Sequence, residues 1–350
     1  MEQSHLLDPV QIGKWNLPTR IVMAPMTRSF ADDKTGVVGL DVVEYYRKRA
    51  ADGIGLIITE GINPIPRAKG TFGVPGIYTE DQIKAWKKVT DAVHQEGGTI
   101  VAQLWHVGRL THHELTGGFP PQAPSRIKAE GLVHRLHKPY EMPEEMSQPD
   151  IQEVIEQHAQ AARNAMVAGF DGVEIHGAHG YLIDQFNSDV TNKRKDQYGG
   201  NQAQRLTFMK ELLSAVIKEV GVESTIIRFS ELKDDLPEYK WSEPEDVIKT
   251  FIVAFREVGL KILHPSTNHF AEIIANGMTL HQLVRKYWDG VIIGVGNLDV
   301  NLASQAIARG TINLAAFGRP LLANPDFVQR IRQNNPLTPY DAKQHLGALV

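Results

Sequence analysis

The chain has 350 residues, 42% of them hydrophobic, with 37 Lys and Arg against 41 Asp and Glu and a formal net charge of −4. It contains no cysteine, which excludes disulfides, thiolate metal sites, iron–sulfur clusters and a catalytic thiol. No block of like charge stands out, so nucleic acid and membrane surfaces are poor candidate partners. Because neither a signal core nor an apolar run of membrane-spanning length is present, we expect a cytoplasmic protein.

Eight short apolar segments alternate with segments of helical spacing along the chain. The predicted strands are 20–25, 55–60, 99–104, 172–175, 225–229, 261–264, 290–294 and 312–317. Continuous apolar strands between amphipathic helices indicate a parallel sheet covered by helices, and eight of them favour a closed (β/α)8 TIM barrel. A doubly wound sheet fits less well because no G-x-G-x-x-G motif follows any strand. We expect one domain over residues 1–350, since such barrels commonly reach this length.

Helix boundaries carry their own signals. Thr79 and Ser242 are each followed three residues later by Gln or Glu, which predicts two capping boxes, and Gly97 and Gly259 fit glycine stops. The predicted helices are 41–51, 79–97, one that opens at 147–150, 242–259, 280–288 and 300–309.

One connection is abnormally long. Residues 106–146 separate the third strand from its helix and include Gly117-Gly-Phe-Pro-Pro121. Long connections in compact domains are usually lids or binding loops, and this one follows a strand at the end of the barrel where active sites lie. We therefore predict a lid-like insertion over the barrel mouth.

Three reactive side chains follow the fourth strand: His176, His179 and Tyr181. Two imidazoles can donate hydrogen bonds to a substrate oxygen, and a phenol can deliver a proton. A structural alternative is that backbone carbonyls satisfy all three groups in the core. Three such groups within six residues at a strand end favour the catalytic interpretation.

Other strand ends supply groups that suit a flat heterocycle with a phosphate. Thr27, Gln103 and Arg228 offer a hydroxyl, a carboxamide and a guanidinium on neighbouring strands. A buried Arg228 requires either a carboxylate neighbour or an anionic ligand. Gly296 and Arg319 follow the last two strands, where such barrels often hold phosphate, although turn glycines and a surface charge would explain each loop separately. Flavin mononucleotide (FMN) fits both the edge and the phosphate.

Five segments together resemble the Old Yellow Enzyme family of flavin-dependent ene-reductases, and the resemblance covers essentially the whole chain. They are residues 21–28, 103–109, 176–186, 194–200 and 317–327. The resemblance implies a bound FMN, NAD(P)H as reductant, and an electron-poor alkene or nitro compound as substrate. The implied reaction reduces activated C=C bonds by hydride transfer from flavin N5 and protonation by Tyr181.

The resemblance also implies roles for individual residues. His176 and His179 would bind the oxygen of the activating carbonyl or nitro group, and Tyr181 would donate the proton. Trp105 and Phe270 would complete the substrate pocket. The implied cofactor-binding residues are Pro25, Met26, Thr27, Gly61, Gln103, Arg228, Gly296, Gly318 and Arg319.

Two other functions remain open at this point. A metal-dependent barrel hydrolase would use His176, His179 and His264 as ligands, but the first strand supplies Pro and Thr rather than ligands. A non-catalytic flavin-binding protein would hold the same cofactor, so only turnover separates it from an enzyme. A Schiff-base aldolase is excluded because Lys261 begins a strand rather than ending one.

Overall fold

A computed structural model describes residues 5–350, and its centre is a closed barrel of eight parallel strands. Each strand pairs with the strands before and after it along the chain, and the eighth pairs with the first. The strands are β1 (Ile21–Met23), β2 (Leu56–Ile62), β3 (Ile100–Leu104), β4 (Gly172–His179), β5 (Thr225–Lys233), β6 (Ile262–Ser266), β7 (Val291–Gly294) and β8 (Leu314–Phe317). The predicted TIM barrel is confirmed.

Eight helices follow the strands in turn. They are α1 (Leu40–Asp52), α2 (Glu80–Gln95), α3 (Gln148–Val167), α4 (Thr207–Val220), α5 (Pro244–Glu257), α6 (Leu280–Tyr287), α7 (Val300–Ala308) and α8 (Phe327–Gln333). Shorter helices span Leu182–Asn187, Gln202–Arg205, Arg319–Ala323 and Ala342–His345, with single 3-10 turns at His5–Leu7, Pro66–Ala68 and Val222–Ser224. No helix within residues 5–350 is long and apolar enough to cross a membrane.

The helix starts test the capping signals. Thr79 caps α2 through a reciprocal box with Gln82, as predicted. The box predicted at Ser242 is wrong: α5 begins at Pro244 with Glu243 at the N-cap and no side-chain cap. Proline at the first helical position lacks an N–H and already has helical φ, so this helix can start without the box.

Strands β4 and β5 are longer than predicted. The fourth strand was expected to end at Ile175 and the fifth at Phe229, but pairing continues from His176 with Arg228 to His179 with Lys233, with an irregularity after Gly177. The two histidines are therefore part of the sheet rather than of the loop after it. The continued pairing fixes the backbone that carries them.

The insertion 106–146 is anchored by a short parallel pair, Gln122–Ala123 with Glu144–Glu145. Its side chains Leu110, His134, Arg135 and Tyr140 line a cavity at the barrel mouth. The segment thus lies beside the predicted site, and its action as a lid stays a prediction.

The opposite end of the barrel is closed by an antiparallel hairpin, Val10–Ile12 with Trp15–Leu17. Ile12, Trp15 and Leu17 pack against the inward-facing apolar side chains of the barrel strands. A second hairpin, Ile273–Ala275 with Met278–Thr279, precedes α6. A binding site is therefore expected at the other end of the barrel, where the strands finish.

Candidate active site

Two cavities lie at the carboxyl ends of the strands. The outer cavity, of about 380 Å³, is lined by Thr27, Ser29, Gly70, Thr71, Trp105, Val107, Leu110, His134, Arg135, Tyr140, Tyr181 and Asp234. The inner cavity, of about 260 Å³, is lined by residues of the β1, β6, β7 and β8 ends together with His179 and Arg228. Of the predicted residues, the outer cavity contains Thr27, Trp105 and Tyr181. The inner cavity contains Pro25, Met26, His179, Arg228, Gly296, Gly318 and Arg319, and neither lining includes Gly61, Gln103, His176 or Phe270.

An aromatic and imidazole cluster stands between the two cavities. The ring of Tyr181 lies edge-on to Trp105 at 5.1 Å and to His176 at 5.0 Å between centroids. The ring of His179 is 5.3 Å from that of His176. The structure therefore brings together four residues that the sequence assigned to substrate.

His176 is buried and its tautomer follows from its contacts. Its Nδ1 accepts a hydrogen bond from the backbone N–H of Ala178 at 3.4 Å, which leaves the ring proton on Nε2. Burial, reinforced by His179 and Arg228, holds the pKa of His176 well below its usual value. A neutral imidazole with a free Nε2–H can donate to a substrate oxygen without titrating near pH 7.

His179 has an unusual backbone and a different partner. Its φ of +61° is in the left-handed region, where His and Asn are among the few tolerated non-glycine residues. Its Nε2 lies 3.0 Å from Oγ of Ser266, and its side chain lines the inner cavity rather than the outer one. Burial and the nearby Arg228 hold the pKa of His179 well below its usual value.

Tyr181 donates its phenol proton to Oδ2 of Asp234 at 2.8 Å. Burial and the carboxylate of Asp234 hold the pKa of Tyr181 well above its usual value, so the phenol stays protonated. Sequence reasoning missed Asp234, because nothing in the pattern indicated which loop residue would face the phenol.

A buried carboxylate, Glu174, orients the carboxamide predicted to hold a flavin. Its Oε1 accepts from Nε2 of Gln103 at 2.8 Å, and its Oε2 lies 2.6 Å from Nδ1 of His264. Burial alone would raise the pKa of Glu174, but His264, Arg228 and Gln103 outweigh it and lower that pKa. The signal for Glu174 was present in the sequence: an acidic residue within an apolar strand, two positions before His176 and so on the same face.

Arg228 is a buried cation at the wall of the inner cavity. It is buried, and its Nη2 donates to Oγ of Ser266 at 3.1 Å. Its Nε has no hydrogen-bond partner within residues 5–350, and the nearby Glu174 forms no ion pair with it. A buried guanidinium left in this state is costly, and a polar or anionic guest in the inner cavity would offset that cost.

The loop after β1 is held in place by Glu60. Its Oε2 accepts from the backbone N–H groups of Arg28 at 3.0 Å and Ser29 at 3.1 Å. These bonds fix Thr27 at the edge of the outer cavity, while Pro25 and Met26 line the inner one. Burial raises the pKa of Glu60 to about 7.

The loops after β7 and β8 form the far wall of the inner cavity. Gly296 has φ +139°, and a Cβ there would lie 2.9 Å from the backbone N of Phe270. Gly318 packs so closely that a Cβ would lie 3.2 Å from Sδ of Met26, and the exposed Arg319 lines the same cavity. The glycine-lined wall, the arginine and the unpaired Nε of Arg228 fit the phosphate and polar ring edge of FMN.

Two predicted residues are placed differently. Phe270 lines neither cavity: its ring stacks on His281 at 4.4 Å and its N–H donates to the carbonyl of Gly296. Gly61 packs directly under Trp105, where any side chain would collide with the indole. The structure thus gives Gly61 a packing role beside the predicted cofactor role.

The histidines of the barrel do not form a metal centre. Among residues 5–350, the group of His, Asp and Glu side chains whose ligand atoms lie within 4.8 Å of one another is His112, His113 and Glu141, in the insertion. His264 is instead bonded to Glu174. The geometry gives no support to a hydrolase based on His176, His179 and His264.

Comparisons with known proteins identify the family of this chain. Residues 5–338 match the model of the NADH:flavin oxidoreductase / NADH oxidase family. The chain is 37% identical to 12-oxophytodienoate reductase 2 of Arabidopsis thaliana, over 96% of this chain and 90% of that protein.

Two solved structures share the fold. The old yellow enzyme homologue from Zymomonas mobilis has a TM-score of 0.89 at 32% identity, over 98% of this chain and 99% of that one. Morphinone reductase in complex with tetrahydroNAD has a TM-score of 0.86 at 36% identity, over 97% and 93%. The chain therefore belongs to the Old Yellow Enzyme family of flavin oxidoreductases, which reduce activated alkenes with FMN as cofactor and a nicotinamide as reductant.

Proposed function

We propose that this protein is an NAD(P)H-dependent ene-reductase whose substrates are α,β-unsaturated carbonyl or nitro compounds. The observation that carries the proposal is the cluster of His176, Tyr181 and Trp105 between the two cavities, beside the unpaired Nε of Arg228. It places hydrogen-bond donors for a substrate and a guanidinium for a cofactor at one barrel mouth. When bound, FMN takes a hydride from NAD(P)H and supplies it to the β carbon of the alkene.

The inner cavity would hold FMN. Arg228 and the carboxamide of Gln103 would bind the polar edge of the ring, and Glu174 fixes which way that carboxamide faces. Thr27, held by Glu60, would approach from the opposite side. Gly296, Gly318 and Arg319 would take the phosphate, with backbone N–H groups and a charge as in other barrels.

The substrate would be activated by hydrogen bonding to its oxygen. His176 presents a neutral Nε2–H next to Tyr181, and His179 would be the second donor if its ring turns from Ser266. A preorganised donor of this kind lowers the barrier by roughly 2–4 kcal/mol, because it stabilises the charge that develops on the oxygen.

Tyr181 would protonate the α carbon of the substrate. Its phenol lines the outer cavity, and its raised pKa keeps the proton available near neutral pH. Trp105 would fix the ring position through the edge-on contact at 5.1 Å. The insertion residues that line the outer cavity support a covering role for segment 106–146.

The relatives support this substrate class by name. The proteins similar to this chain include reductases of 12-oxophytodienoate and of morphinone, both ketones by name. We therefore expect a conjugated ketone to be reduced more readily than an isolated alkene.

Product analysis tests the proposal. Purified protein with FMN, NADPH or NADH, and 2-cyclohexenone should yield cyclohexanone, while cyclohexene should remain unreacted. Binding of FMN without any cyclohexanone from 2-cyclohexenone, or from a nitroalkene, would instead favour a non-catalytic flavin-binding protein.

A further inference from the structure

The phenol proton of Tyr181 already has an acceptor within the protein. In the structure it is donated to Oδ2 of Asp234 at 2.8 Å, across the rim of the outer cavity. A proton donor must be free to turn to the substrate, and must be reprotonated after each turnover. The proposed function requires that Tyr181 be reprotonated after each turnover, and Asp234 lies within hydrogen-bond distance of the phenol.

Asp234 is held in position by the sheet. It directly follows Lys233, the last residue of β5, and its backbone N–H donates to the carbonyl of His179 at 3.0 Å. The residue is exposed and lines the outer cavity. Its carboxyl group thus connects the phenol to bulk water.

The charged groups around Asp234 leave it free to exchange protons. Its acidic neighbour Asp235 forms a buried ion pair with Arg109, and Asp184 forms another with Lys233 at 2.8 Å. Within residues 5–350 Asp234 has no such cation and contacts only the phenol through its side chain. Arg228 and Tyr140 also face this group from β5 and from the insertion.

We propose that Asp234 is the proton relay for Tyr181. As hydride reaches the β carbon, the α carbon takes the phenol proton with the electron pair of the former C=C π bond, so that a C–H bond forms as the O–H bond of Tyr181 breaks. The phenolate oxygen then takes the proton of the Asp234 carboxylic acid, and the carboxylate recovers a proton from water. The relay rests on the proposed function.

The proposed relay predicts how the rate of reoxidation changes with pH. While Asp234 is ionised it holds the phenol proton; once protonated it donates to the phenol oxygen, and the phenol O–H is free to face the substrate. Partial burial of the carboxyl and the charge of Asp235 raise the pKa of Asp234, whereas Tyr181 and Arg228 oppose that shift. The oxidation of reduced enzyme by an enone should therefore slow as pH rises through this pKa.

A double-mutant cycle tests the relay. Wild type, Asp234→Asn, Tyr181→Phe and the double variant would be reduced with NADPH and mixed with 2-cyclohexenone from pH 5 to pH 9, while flavin reoxidation is followed. We expect Asp234→Asn to lose the part of the pH dependence that the Asp234 carboxyl causes, and to slow reoxidation about tenfold at the low-pH end of the range, a fraction of a general acid's usual effect. In the Tyr181→Phe background the same change should have no further effect.

Controls separate the relay from charge and from function. Glu238→Gln removes an exposed acid from the same loop and should leave the pH profile unchanged. Without substrate or flavin, NMR of apoprotein labelled at tyrosine Cζ should show a lower pKa for Tyr181 in Asp234→Asn. The relay is overturned if Asp234→Asn leaves the pH profile unchanged, or if it slows reoxidation equally in the wild-type and Tyr181→Phe backgrounds. Either result would leave the proposed function standing. A wild type that never reoxidises with 2-cyclohexenone overturns the proposed function.

Discussion

The same barrel strands carry apolar packing at one end and buried polar side chains at the other. At the closed end, Ile12, Trp15 and Leu17 of the hairpin pack on apolar barrel residues such as Val22 and Leu56. At the open end, the strands deliver buried polar groups, among them Glu174, His176 and Arg228. The start of a barrel strand therefore contributes to the stability of the fold, while its carboxyl end carries residues of the candidate site, as expected for this architecture.

The open end also keeps groups that the protein itself does not satisfy. Nε of Arg228, Nε1 of Trp105 and Nε2 of His264 are buried without a hydrogen-bond partner in the described chain, and His179 adopts a left-handed backbone. Such costs persist where the surrounding structure enforces them, and they concentrate at functional sites. The open end therefore differs from the closed end in the residues it buries: histidines, a glutamate and a guanidinium of the barrel strands instead of an apolar hairpin.

The largest effect should come from the closed end. Trp15→Ala removes a side chain that is 4% exposed, and should lower the free energy of unfolding of the apoprotein by about 3–5 kcal/mol. Urea denaturation would measure the loss. The affinity of the folded variant for FMN should equal that of wild type, and a large change in affinity would show that the two ends are not independent.

Glu60 offers a pH test of the loop that carries Thr27. Its folded pKa of about 7 lies above the ordinary glutamate value of 4.5, so folding favours the protonated form. The unfolding free energy of wild type should therefore decline as pH rises from about 4.5 to about 7, by on the order of 3 kcal/mol from this group. Glu60→Gln should lack this part of the decline. If the unfolding free energies of wild type and Glu60→Gln changed with pH in parallel, the raised pKa of Glu60 would be contradicted.

Tyr181→Phe should separate the two halves of the reaction. Loss of the phenol should slow reoxidation by 2-cyclohexenone about 100-fold, because the α carbon loses its proton donor. Reduction by NAD(P)H should stay within a few-fold of wild type. Tyr140→Phe removes a hydroxyl from the same cavity and should change neither rate much. Equal slowing of both halves by Tyr181→Phe would remove the proton-donor role.

Arg228→Met should weaken FMN binding while the barrel stays folded. The loss of charge-assisted hydrogen bonds to the ring edge should raise the dissociation constant about 10- to 100-fold. Quenching of flavin fluorescence on titration with apoprotein would measure it, and circular dichroism would check the fold. Wild-type affinity would mean that the unpaired Nε of Arg228 does not face the cofactor.

The sequence predicted the barrel strands better than the details of the open end. Apolar strand runs and the capping box at Thr79 are local signals, and both the barrel and the start of α2 followed from them. The end of β4 did not, because pairing with β5 beyond His176 depends on a partner strand that no local pattern shows.

The residues of the candidate site also fall into some that the sequence indicated and others that it did not. Side-chain chemistry singled out His176, Tyr181 and Arg228, and the structure brings the first two into contact. The orienting residues Ser266 and Asp234 were missed. The sixth strand was expected to end at His264, so Ser266 was not placed in the sheet, and an aspartate just after a strand looks like any surface residue until the facing group is known. The left-handed φ of His179 was also missed, because the backbone conformation of a strand end is not visible in a local sequence pattern.

The most direct test of the account is an anaerobic spectral titration of the purified protein. If the open end is a flavin and alkene site, the flavin absorption bands should bleach on addition of NAD(P)H and recover after one equivalent of 2-cyclohexenone. Bleaching that no enone or nitroalkene reverses would contradict the proposed reduction of alkenes. A protein that cannot be reconstituted with FMN at all would contradict the assignment of the inner cavity.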